Sequence, residues 1–201
     1  ESMWQTLTTT RFSGGSLSSW LYIACLPFLA IILLGAALPS TDFDVNEYHF
    51  GGPKEYFLAG RIQFLEHNVY TSFPFLTEML TLSAMVVHGD WFWGALAGKV
   101  LLSVYALLTA CAVRALARSW AGSVAGDLAA FVWLTTPWVF RISTIAYVEG
   151  ALACYLAWAW LLVAKGRVSG TGALLAGLLA GSGMACKYPG LVQVVVPVGV
   201  A

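Results

Sequence analysis

Three carboxylates and a histidine, Asp42, Asp44, Glu47 and His49, fall within eight positions, just after a long apolar run. Asp42 and Asp44 form a D-x-D pair, but a hard cation needs more oxygen ligands, and Glu47 supplies them only in part. A divalent metal is thus compatible with the segment without being required by it. If Asp44 opens a helix, Glu47 and Tyr48 stand on its side at i+3 and i+4. Two further charges sit in apolar sequence, Glu149 and Lys187. A charged group in lipid is costly and usually faces a partner or a water-filled cavity.

The elements that must position these residues are membrane spans. Apolar residues make up 59% of the chain and charged residues 10%, against about 45–50% and 25% in soluble domains. Ten basic and ten acidic side chains balance, which leaves no electrostatic footprint for nucleic acid. A crossing needs about 20 apolar residues, and five candidates meet or approach that length: residues 20–38, 91–113, 121–140, 144–164, and one starting near Gly170 and running past Lys187. The predicted fold is all-α, a polytopic transmembrane bundle of about five spans forming one domain over residues 1–201.

Lys and Arg in short loops favour the cytoplasmic side, which assigns Arg11, Arg114, Arg118, Lys165 and Arg167 to that face, together with the N-terminus. The roughly fifty residues from Pro39 to Asp90 are then extracytoplasmic. Inside this loop, residues 73–87 are apolar but too short to span, and read as an interfacial or re-entrant helix. A second helix is expected after Pro53, where Leu58, Ile62 and Leu65 recur at helical spacing and Lys54 and Arg61 share their face. Such cations suit phosphate headgroups or a phosphorylated ligand.

In this topology Glu149 lies about 8 Å into the fourth span from outside, and Lys187 arrives about 25 Å along the fifth span from inside. Asp44, Glu149 and Lys187 therefore meet at one level, as a cavity opening outward would require. The competing structural reading, charges that snorkel or pair, fits Asp90, Lys99 and Asp127. Cys25, Cys111, Cys154 and Cys186 lie in apolar runs without CxxC spacing and read as packing residues. Gly177 and Gly181 have the small-xxx-small spacing that lets helices approach closely. The chain starts at Glu1 and stops within apolar sequence, so it is expected to be a piece of something longer.

The loop resembles the first extracytoplasmic loop of GT-C glycosyltransferases, the superfamily of protein O-mannosyltransferases and bacterial aminoarabinose transferases. The resemblance rests on Asp44, Tyr48-His49, Pro53-Lys54, Tyr56, Gly60-Arg61-Ile62, Asn68-Val69-Tyr70, Phe73-Pro74 and Glu78-Met79-Leu80. It continues at Ala146-Tyr147-Val148-Glu149 and Lys187-Tyr188. One departure is that Ser72-Phe73-Pro74-Phe75 stands where aminoarabinose transferases have a lysine before a proline pair.

The resemblance implies the N-terminal part of a membrane glycosyltransferase that moves a sugar from a polyprenyl-phosphate donor to an acceptor hydroxyl on the extracytoplasmic side. It implies Asp44 as general base and Glu149 as a second acid of the site. Tyr48, His49, Lys54, Arg61 and Lys187, with Arg141 beside them, become donor or phosphate contacts. The alternative is a secondary transporter or channel with acids at its outer mouth, whose broken helices and repeated halves would be the mark. No internal repeat is visible.

Overall fold

The computed structural model describes residues 16–164 and 169–201, and the regular elements among them are all helical. Arg11, Lys165 and Arg167, three of the cations that orient the predicted topology, lie outside the described residues. Helix α1, Ser16–Ala36, and the loop helix α2, Gly51–Ala59, are followed by α3, Leu76–His88, and α4, Trp91–Ala121. Then come α5, Ser123–Thr135, α6, Pro137–Thr144, α7, Glu149–Val163, α8, Gly170–Cys186, and the short α9, Val196–Gly199.

Helices α1 and α4 are long and apolar enough to cross a membrane. They present bare apolar side chains such as Trp20, Leu26, Leu34 and Leu101, as lipid rather than water would permit. Asp90 caps α4 by accepting the Trp93 amide at 2.8 Å, satisfying an otherwise orphaned donor. The third expected span is broken: α5 and α6 meet at 58°, because Pro137 has no amide hydrogen to continue the ladder across Thr136. Together that pair makes at most one further crossing.

The fourth expected span begins only at Glu149, since residues 145–148 form a turn in which Ala146 takes φ 72°. That leaves α7 at 15 residues and α8 at 17, apolar but shorter than a full crossing. The loop helix after Pro53 also stops early. Gly60 adopts φ 67°, the left-handed conformation that ends helices at low cost in glycine, so Arg61, Ile62 and Leu65 lie beyond it and do not share a helical face with Lys54.

Close helix approach occurs elsewhere than at Gly177 and Gly181, which have nothing within 4 Å of a would-be Cβ. It is α3 against α4: a Cβ on Gly94 would sit 2.2 Å from the Met85 Cα, and one on Gly98 2.9 Å from the Thr81 Cα. Of the cysteines, Cys25, Cys154 and Cys186 pack in the interior, while Cys111 is exposed on α4.

Polar side chains gather at the two ends of the bundle. At one end Asp127 of α5 accepts the Arg114 guanidinium at 2.7 Å and the Tyr22 hydroxyl at 2.6 Å. This joins α1, α4 and α5, and gives Asp127 the structural role read for it. Lys99, toward the opposite end of α4 from Arg114, has a structural role too, donating to the Leu38 carbonyl. The other end carries the residues singled out for chemistry.

Candidate functional site

The acidic segment is a helical turn of unusual width. Residues 43 and 44 are α-helical, and Val45–His49 then form a π turn closed by the Phe50 amide on the Val45 carbonyl at 2.7 Å. Single π turns are frequent at functional sites. This one replaces the α-helix expected to start at Asp44. Val45 and His49 point inward and are buried, whereas Asp44 and Glu47 face out.

His49 meets Glu78, the acid near the start of α3. Its Nδ1 is 2.5 Å from Glu78 Oε1, and both side chains are 3% exposed. The second carboxylate oxygen of Glu78 accepts the Thr77 hydroxyl at 2.8 Å. A carboxylate on Nδ1 makes that nitrogen the donor and holds the imidazole in one orientation. The ring is flanked by Tyr48 and Tyr147, with centroids 4.1 and 5.7 Å away.

The two aspartates of the D-x-D pair differ in their surroundings. Asp42 accepts the Tyr147 hydroxyl at 3.0 Å and the Val45 amide at 3.4 Å, and Arg141 lies 3.9 Å away. Asp44 is exposed and makes no hydrogen bond or ion pair among the described residues. Asp42 thus ties the loop to the turn between α6 and α7, while the carboxylate of Asp44 stays open to an incoming molecule. The left-handed Ala146, a conformation costing an L-residue about 1–2 kcal/mol, lies in this turn and brings Tyr147 up to Asp42.

Glu149, the first residue of α7, is joined by Lys187 at the end of α8, Nζ to Oε1 2.9 Å. The predicted convergence of these two residues is therefore a direct contact. Beside it a cavity of about 130 Å³ is walled by Tyr48, His49, Tyr70, Phe73, Glu78 and Lys187. Tyr70 stacks on Tyr48 at 5.0 Å, and Phe73 meets Tyr188 edge-on at 5.4 Å, so the rim is aromatic. Burial first, and then the negative charges of Asp44, Glu149 and Glu78, push the Tyr48 phenol far above its ordinary range. It is consequently a hydrogen-bond donor at any physiological pH.

The remaining predicted contacts lie apart. Lys54 stands over the Trp91 ring at 3.9 Å and lines a different cavity. Arg61 is exposed and bonds Gln63 at 2.9 Å, and Arg141 is turned toward Asp42. Glu78, Tyr70 and Phe73 line the cavity although sequence reasoning had not assigned them to the site. For Glu78 the signal was present: a lone acid in an apolar stretch, the same criterion that selected Glu149.

Among the described residues, no three His, Cys, Asp or Glu side chains are grouped as ligands for one metal ion. No family model, curated protein or solved structure matches the chain.

Proposed function

We propose that the chain is the membrane-embedded part of a glycosyltransferase that takes a sugar from a polyprenyl-phosphate donor at the end of the bundle holding Asp44. The observation that carries this reading is an unengaged carboxylate, Asp44, whose charge acts on Tyr48, a wall residue of the aromatic-rimmed cavity that also includes Lys187 held by Glu149. In the reaction the acceptor oxygen attacks the anomeric carbon and passes its proton to Asp44. The bond from that carbon to the phosphate oxygen breaks, and the phosphate leaves with the electron pair. Attack opposite the phosphate inverts the anomeric centre.

Lys187 is the cation placed to meet the charge growing on the leaving phosphate, and Tyr48 is a protonated donor beside it. His49, clamped by Glu78, fixes the floor of the cavity. Arg61 and Lys54 have no part in this scheme. The topology that goes with it has five crossings, a cytoplasmic N-terminus, and α2 and α3 lying at the outer membrane surface.

The test is Asp44→Asn in the full-length protein, assayed for sugar transfer from polyprenyl-phosphate donors with membrane expression checked. Loss of about 10²–10⁴-fold is expected for removal of a general base, whereas Asp42→Asn should keep measurable transfer. Unchanged transfer by Asp44→Asn would remove it as the base. The bend between α5 and α6 and the break after Cys186 are features a carrier would share. Under that reading, wild type transfers no sugar from any donor, and Asp44→Asn alters cation-coupled uptake instead.

A further inference from the structure

The π turn has a second cavity on its other face. About 230 Å³ in volume, it is bounded by Ser40, Asn46, Phe50, Lys54, Trp91 and Phe92 among others, and shares no wall residue with the cavity beside Lys187. Residues 46, 50 and 54 repeat every four positions along the π turn and α2, so they form one face of it, while Tyr48 and His49 lie on another.

Its charge is one-sided. No carboxylate lines it, and Lys54 has no acidic partner among the described residues. Glu55 pairs with His67 at 3.0 Å and Asp90 with the Trp93 amide at 2.8 Å, while Asp44 and Glu47, on either side of Asn46, face out and do not line the cavity. Lys99 is buried and its amine is taken up by the Leu38 carbonyl, so Lys54 is the cation of the lining.

The cavity also lies at the end of the 31-residue helix α4, where Trp91, Phe92 and Trp93 stack edge to face. Aromatic side chains of this kind gather at headgroup level.

The geometry points to a binding site for the headgroup of an anionic phospholipid. The phosphate meets Lys54, the Ser40 hydroxyl and Asn46 amide offer further donors, and the acyl chains run along the exposed apolar face of α4. The aromatic cluster favours a lipid over free phosphate, because a soluble anion gains nothing from it. The site does not depend on sugar transfer.

The full chain in detergent would be titrated with dihexanoyl phosphatidylglycerol, dihexanoyl phosphatidylcholine and inorganic phosphate, with bound species counted by native mass spectrometry. One lysine at a lipid surface predicts about a fivefold preference for phosphatidylglycerol over phosphatidylcholine. Lys54→Gln should abolish the preference, as should Ser40→Asp, which puts a negative charge in the wall. Arg61→Gln should keep it. Equal binding of the two lipids by wild type, or a preference that survives both wall substitutions, overturns the site. Inorganic phosphate bound as tightly as phosphatidylglycerol overturns the lipid as its occupant.

Discussion

A single residue separates Asp42 from Asp44, yet one is locked into Tyr147, the Val45 amide and Arg141 while the other is open. Sequence shows that acids cluster here but not which of them folding consumes, because the side-chain partners, Arg141 and Tyr147, come from far along the chain, Tyr147 105 positions on. The His49 and Glu78 pair was hidden for the same reason, its members being separated by 29 positions. This pair has its own measurable consequence. Glu78→Ala leaves the Nδ1 donor of His49 buried without an acceptor, which costs roughly 1–3 kcal/mol. The thermal midpoint in detergent should fall accordingly. A second change, His49→Phe, should then add little, because it removes the orphaned donor. Fully additive losses would show that the two side chains do not act as a pair.

At the scale of elements, the apolar runs were legible because a span announces itself by length and freedom from charge, and α1 and α4 fall where such runs stand. Breaks were harder to read. Leu58, Ile62 and Leu65 keep helical spacing, but Gly60 ends the helix between them, since spacing says nothing of the backbone conformation a glycine will take. Small-residue contacts were misplaced likewise: spacing marks Gly177 and Gly181 as well as Gly94 and Gly98, and only packing tells which pair faces another helix. The backbone of α3 rests on Gly94, so Gly94→Ala must push the two helices apart at Met85. Overpacking of this kind costs about 1–3 kcal/mol. Because α3 carries Glu78, the displacement should reach the cavity. A lowered unfolding midpoint together with reduced transfer is expected for Gly94→Ala, whereas Gly177→Ala, with open space around it, should leave both unchanged.

Across the whole molecule, polar contacts tie the helices together at both ends. The Tyr22, Arg114 and Asp127 cluster holds α1, α4 and α5 at one end. Asp42 with Tyr147, His49 with Glu78, and Glu149 with Lys187 join the loop to α3, α7 and α8 at the other. The chain must therefore pass from end to end between Asp127 and Tyr147, and the bent pair α5 and α6 makes that passage. Helices α7 and α8 are about 22 and 25 Å long at 1.5 Å per residue, short of a hydrocarbon core of about 30 Å. Five crossings then require that their ends near Glu149 and Lys187 be met by a polar cavity or a thinned bilayer, and the cavity beside Lys187 is so placed. Labelling with a membrane-impermeant maleimide tests the arrangement. Ser72→Cys, in the exposed loop, should react in intact cells, and Ser119→Cys, near the Arg114 end, only after permeabilisation. The chain without added cysteine sets the background from Cys111. Equal labelling of both positions in intact cells would put the two ends on one side of the membrane, and the five-crossing topology would fail with it.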